Sequence, residues 1–220
     1  MLGACDLALS GRGRVDLRAL GFWGAVDAVK KRPELVGRYA ERIGRIDREA
    51  FLRAVPLAFP ASVGLVLLSL GTAAGVAVVA LAFVLPDLWR ELALLAGTGA
   101  LIGATHGLAH WVVGRVVGIR FTHWFSKPPL TPQPGFKTDY ASYLRAPARS
   151  RAWMHASGAI VSKVVPFVGL AIGLAAGVAA WALWVLVAIG IGQLVTDALF
   201  SVRASDWKRF RREMRAARAR

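Results

Sequence analysis

The sequence predicts an all-α polytopic membrane protein: four transmembrane helices, amphipathic N- and C-terminal helices, and a short cytoplasmic β-hairpin or loop. Three observations carry this. Apolar blocks at Val55–Leu85, Leu92–Val113 and Ala156–Phe200 dominate a chain that is 56% hydrophobic. A hydrocarbon core about 30 Å thick takes roughly 20 helical residues, so the 45 residues of Ala156–Phe200 suffice for two crossings. Finally, the 28 Lys and Arg residues are segregated along the chain.

The crossings are expected at about Phe59–Leu85, Leu92–Val113, Ala156–Leu174 and Val178–Phe200, with a break near Gly173–Gly177 between the last two. Of the basic residues, 11 precede the first crossing, seven lie between Arg115 and Arg151 and eight follow Phe200. An even number of crossings puts those three regions on one side, and positive-inside bias makes that side the cytoplasm. The expectation is an integral protein of the cytoplasmic membrane with both termini cytoplasmic. Interfacial tryptophans agree: Trp89, Trp181 and Trp184 at the outer boundary, Trp111, Trp153 and Trp207 at the inner one. The net charge of +15 is thereby read as topology and attraction to anionic lipid, with the bilayer as partner and no nucleic acid.

Three regions follow from this: 1–55, cytoplasmic and interfacial; 56–203, the transmembrane domain with a cytoplasmic loop at 115–153; and 204–220, a basic amphipathic tail. From Pro33 onward, Leu35, Tyr39, Ile43 and Ile46 share one helical face, which suits either the membrane interface or the protein's own loops. "LRALGFWGAV" reads as a second, shorter helix. "GIRFTHWF" has strand composition, "SKPPLTPQPGF" reads as a Pro-rich turn, and "KTDYASYLRAP" as a returning strand or a short helix. "SDWKRFRREM" reads as a helix capped by Ser205, with Trp207, Phe210 and Met214 toward lipid. "MLGAC" looks like the end of a lipoprotein signal, but no charged and apolar segments precede it, so no cleaved signal is expected. The single cysteine rules out an internal disulfide. Glycines four apart, at Gly99, Gly103 and Gly107, at Gly169, Gly173 and Gly177, and at Gly71 and Gly75, predict close helix contacts.

Ionisable groups are costly inside a bilayer and are usually paired or functional. Here they are His106, His110, Lys163 and Asp197. At 1.5 Å per residue His110 lies roughly 7–8 Å below the cytoplasmic boundary and Asp197 roughly 9 Å below it. Histidines four apart reach one ion, and two imidazoles with a carboxylate match the protein ligands of a catalytic zinc. Gln193, a turn before Asp197, would support that aspartate from outside the ligand set, and Thr105 offers a hydroxyl nearby. An alternative needs no metal: Lys163 snorkels to pair with Asp197, and the histidines stay neutral.

The order of these parts resembles the site-2 protease family of intramembrane zinc metallopeptidases. "HGLAHWVVGRVVGI" resembles its signature, in which H-E-x-x-H precedes an Ala/Gly-Arg pair and a Gly-Ile/Val leading into a cytoplasmic strand. "HASGAIVSKVVPF" resembles the family's next helix start, and "GQLVTDALF" supplies an aspartate where the family carries its third ligand. The resemblance spans about Leu92–Arg203. It implies zinc on His106, His110 and Asp197. It also implies a strand at Ile119–Phe125 whose residues Ile119, Phe121 and His123 offer an edge to a transmembrane or membrane-adjacent protein segment.

Gly107 stands where the family has its catalytic glutamate, Ala159 where it has a proline and Ser162 where it has an asparagine. A missing general base removes about 10²–10⁴-fold in rate, roughly 3–5 kcal/mol of barrier. Asp139 and His155 lie on the correct side, and a folded cytoplasmic loop would have to bring them close to serve as substitutes. The expectation is therefore a site-2 protease-like, zinc-binding membrane protein with absent or atypical peptidase activity. The alternative is a non-enzymatic four-helix scaffold or partner subunit with a Lys163–Asp197 ion pair and no metal.

Overall fold

In the computed structural model, four helices are long and apolar enough to cross a bilayer: Ala61–Phe83, Asp87–Val116, Ala148–Ala175 and Ala180–Asp197. The structure describes residues 1–11, 13–127, 131–199 and 205–218. Its helices are α1 (Leu2–Ser10), α2 (Phe22–Lys31), α3 (Pro33–Ala54), α4 (Ala61–Ala80, extended by a 3₁₀ turn to Phe83), α5 (Asp87–Val116), α6 (Tyr140–Arg145), α7 (Ala148–Ala175), α8 (Ala180–Leu199) and α9 (Asp206–Arg218). The strands are β1 (Ala58–Pro60), β2 (Phe121–Lys127) and β3 (Thr131–Thr138). They form one antiparallel sheet in the order β1-β2-β3. The chain divides into two compact units, each discontinuous in sequence: Met1–Gly64 with Gly114–Arg151 and Ala216–Arg220, and Leu65–Val113 with Ala152–Arg215.

The first unit is built on the apolar face of α3. Ile43 and Ile46 are fully buried with Cys5, Phe22, Val26 and Leu144, so that face packs against α1, α2 and α6. The sequence reading contains no helix at Leu2–Ser10; it forms because Cys5 and Leu9 fill this core while Asp6 reaches Arg42 at 2.5 Å and Arg45 at 2.7 Å. Burial opposes ionisation of Asp6, but the two guanidiniums outweigh it and hold the carboxyl below its ordinary 3.8. A lowered carboxyl pKa stabilises the fold above about pH 4 and loses that contribution as pH falls through the folded-state value. The loss of unfolding free energy between about pH 5 and pH 3 is therefore expected to be smaller in Asp6→Asn, by about 1 kcal/mol for a part-exposed ion pair.

The hairpin differs from expectation in three ways. The Pro-rich stretch is not wholly a turn, because Thr131–Phe136 belongs to β3, and the chain after Asp139 is the helix α6. Proline is tolerated there because β3 is an edge strand among the described residues. A third strand, β1, pairs with β2 over Ala58↔Phe125, Phe59↔Trp124 and Pro60↔His123. The edge expected of Ile119–Phe125 is thus covered along His123–Phe125, since β2 is the central strand. Ile119 precedes the strand and is fully buried. Phe121 lies against Phe136, and His123 against Phe51 at 6.0 Å between centroids.

Along the four apolar helices of the second unit many large apolar side chains are left outside, such as Val66, Leu70, Trp184 and Leu199. In water such surfaces would be a liability; in a bilayer they face lipid. Leu94, Ala182 and Leu186 are buried with Val79 and Val178. Glycine contacts follow the expected rows in part. A Cβ at Gly169 would meet Thr98 Oγ1 at 2.7 Å, and one at Gly173 would meet Leu94 at 2.6 Å. Gly99 and Gly103, by contrast, face open space, and the close approach involving α5 is made by Gly97, where a Cβ would lie 2.9 Å from Gly75 O. The break between α7 and α8 falls at Gly177, whose φ of 65° is left-handed and suits glycine. It is clasped by Arg90, which donates to Ala176 O at 3.2 Å, and by Glu91, which accepts from Ala179 N at 3.0 Å.

Candidate metal centre

The site lies within the second unit and draws on three helices. α5 supplies His106 and His110, one helical turn apart, so both imidazoles leave the same face. Their Nε2 atoms are 3.3 Å apart and their rings nearly perpendicular, at 87°. α9 supplies Asp206, whose Oδ2 lies 3.4 Å from His106 Nε2 and 3.2 Å from His110 Nε2. All three side chains are mostly buried yet retain some access. His106, His110 and Asp206 form a group that can hold a metal ion.

α7 orients the ligands. His110 Nδ1 donates to Met154 O at 2.7 Å. A carbonyl only accepts, so Nδ1 carries the proton and Nε2 points its lone pair at Asp206 and His106. Outer-layer bonds of this kind select the tautomer and ring orientation in metal sites. One turn on, Gly158 makes room: a Cβ there would lie 2.4 Å from His110 Nε2 and 2.7 Å from Cδ2. Asp206 is held by its position in the first turn of α9, where Lys208 N donates to Ser205 Oγ at 3.4 Å as the expected cap requires. A helix N-terminus favours a carboxylate. Burial alone would raise the Asp206 pKa, but wherever the two imidazoles present an N–H to it they hold it well below the usual carboxylate range.

Two acceptors facing one another at such distances need something positive between them. Either His110 takes a second proton and donates to Asp206, or a metal ion occupies the space and replaces protons.

The remaining predicted site residues are placed elsewhere or in other roles. Asp197 does not meet the imidazoles. It forms an ion pair with Lys163, which also donates to Ala159 O at 3.2 Å. The carboxylate at the histidines is Asp206, nine residues further on. Thr105 does not brace a ligand; its hydroxyl donates to Leu101 O within α5 at 2.6 Å. Gln193 lies on α8, which supplies nothing to the histidine cluster, and its backbone carbonyl accepts from Thr196 at 3.2 Å. Asp139 caps α6 by accepting from Ser142 N and lies 3.4 Å from Arg48 and 3.3 Å from Arg120, so its oxygens are engaged in the first unit. His155 follows Met154 on α7 and is buried. Gly107 sits between the two histidines, half-buried, with no side chain to act as base.

The chain matches no family model, no curated protein and no solved structure. The geometry of the site therefore stands on this chain alone.

Sequence reasoning missed Asp206, Met154 and Gly158. A signal for Asp206 was present, because an Ser-Asp pair opening a helix marks a carboxylate fixed at a helix start. With Trp207, Phe210 and Met214 read toward lipid, nothing in the sequence marks Asp206 as facing another helix. The structure instead turns Asp206 and the fully buried Glu213 inward, while Phe210 packs on Trp153 at 5.5 Å. Backbone carbonyls such as that of Met154 leave no mark in a sequence.

Proposed function

We propose that this chain is a membrane-embedded zinc-binding protein, similar in plan to the site-2 proteases, in which ordinary peptide hydrolysis is absent or atypical. The observation that carries this reading is the triangle of donor atoms. A tetrahedral ion bound at about 2.0–2.1 Å keeps its donors about 3.3–3.4 Å apart. The three separations here are 3.2, 3.3 and 3.4 Å. Two imidazoles and one carboxylate also suit zinc better than a hard cation, which prefers oxygen throughout.

In this reading His106, His110 and Asp206 hold the ion, the Met154 carbonyl fixes the His110 tautomer, and the α9 cap fixes the carboxylate. Bound zinc supplies Lewis acidity, polarising a carbonyl or acidifying water. Gly107 offers no proton acceptor at the place where the resembled family carries its glutamate, so the chain lacks the usual group for activating a nucleophile and protonating a leaving amine. The Lys and Arg distribution supports a cytoplasmic-membrane location with cytoplasmic termini.

A second reading, a membrane scaffold without metal, rests on the same cluster bridged by protons and on the Lys163–Asp197 pair. Metal analysis of purified protein after zinc loading separates the two. The expected result is stoichiometric zinc in the wild type and in Asp197→Ala, falling to background in His110→Ala and Asp206→Ala. Wild-type zinc content in both of the last two variants would remove the centre and leave the scaffold.

A further inference from the structure

Behind the end of α8 lies a cleft of about 360 Å³ that the metal centre does not use. One wall is the ion pair of Lys163 and Asp197, which cancels in charge. The other is the outer face of α9, where Lys208 and Arg211 stand three residues apart and reach the same rim. No carboxylate among the described residues pairs with either of these two cations, so the lining keeps a surplus of positive charge. Leu194 and Leu199 complete the cleft and are 48% and 70% exposed, which marks them as lipid-facing. Trp207 lies between the polar and apolar parts, with Lys163 Nζ 5.8 Å from its ring centroid.

Cations on one side, apolar side chains on the other and an indole at the boundary match one kind of molecule. We propose that this cleft binds the headgroup of an anionic phospholipid from the leaflet in which α8 ends. Lys208 and Arg211 hold the phosphate, and Leu194 and Leu199 take the first part of an acyl chain. Long basic side chains reach a phosphate from a helix in the interface without moving that helix. A zwitterionic lipid presents the same phosphate, but its own ammonium is brought against the surplus cations and is disfavoured. A free phosphate lacks the acyl chain that the leucines cover. The proposal does not depend on the metal reading.

Purified full-length protein, incubated with vesicles of equal phosphatidylglycerol and phosphatidylcholine and examined by native mass spectrometry, tests this. Wild type is expected to retain phosphatidylglycerol in clear preference. The double variant Lys208→Gln/Arg211→Gln is expected to lose about thirtyfold in retention, from about fivefold per cation at an anionic surface. Arg215→Gln/Arg218→Gln removes the same charge elsewhere on α9 and is expected to retain lipid as wild type does. Excess inorganic phosphate or glycerol 3-phosphate is expected not to displace the lipid. Equal retention of the two lipids would overturn the proposal, and so would equal loss in both double variants. Displacement by free phosphate would make the cleft a soluble-anion site instead. All four substitutions are on the outer face of α9, and an unchanged melting temperature confirms that the fold is intact.

Discussion

Gly158→Ala is expected to empty the metal centre without altering a single ligand. The added carbon would lie 2.4 Å from His110 Nε2 and 2.8 Å from Cε1, well inside contact distance. The ring can escape only by rotating, and rotation breaks its 2.7 Å bond to Met154 O and swings Nε2 off the Asp206 carboxylate. Overpacking of this size costs about 1–3 kcal/mol of stability, which a folded membrane helix pair survives. Zinc affinity is expected to fall about 100-fold, the upper range for losing an orienting bond behind a histidine ligand. Gly103→Ala is the control: it lies three residues before His106 on the same helix, and its Cβ would meet open space. That variant is expected to bind zinc like wild type. Undiminished zinc in a well-folded Gly158→Ala protein would mean that His110 is not held where the site requires it.

The second large effect belongs to Lys163 and Asp197. Removing one member of a shielded ion pair leaves the other charge without compensation, at a cost of about 3–5 kcal/mol when burial is complete. Asp197 is 34% exposed on its side chain and Lys163 12%, so Lys163→Met is expected to sit near the low end, about 3 kcal/mol. Asp197→Leu should cost a similar amount. The double variant replaces the pair with apolar groups suited to the bilayer and is expected to recover most of the loss. Unfolding free energies of the two single variants and the double variant measure the coupling. Additive losses would show that the two residues do not depend on each other. Zinc content is expected to be unchanged throughout, because the proposed metal centre draws on Asp206 rather than Asp197.

The two predictions mark where reading along the chain succeeds and where it stops. Hydropathy over some twenty residues is a local property, and it locates all four apolar helices. The second nevertheless begins at Asp87 rather than Leu92 and the third at Ala148 rather than Ala156, because polar first turns continue a helix without adding to its hydropathy. The His106–His110 pair is legible for the same reason, because helical periodicity sets which face the two imidazoles share. The α9 cap at Ser205 is equally local. Depth in the bilayer can also be counted residue by residue, and that count placed Asp197 level with the histidines. Depth, however, is only one coordinate. The direction in which a helix presents a side chain depends on how it packs, and α8 turns Asp197 toward Lys163.

The sheet shows the same limit. Strand composition at Phe121–Phe125 is visible in the sequence, but an edge is a property of neighbours, and three residues at Ala58–Pro60 suffice to cover it. Gly107 could be read from the sequence as a position between the two histidines that carries no side chain. Gly158 could not be read as the space for His110, since only the approach of α5 to α7 gives it that role.

By itself, then, the sequence determined the apolar crossings, the segregation of charge, the histidine pair and the lack of a glutamate beside it. Only the tertiary structure decided which carboxylate faces the imidazoles, which carbonyl orients them and which glycine admits them. The physical reason is that the first set follows from interactions within a few helical turns. The second depends on the rotation and spacing of helices far apart in the chain, which many side-chain contacts set jointly.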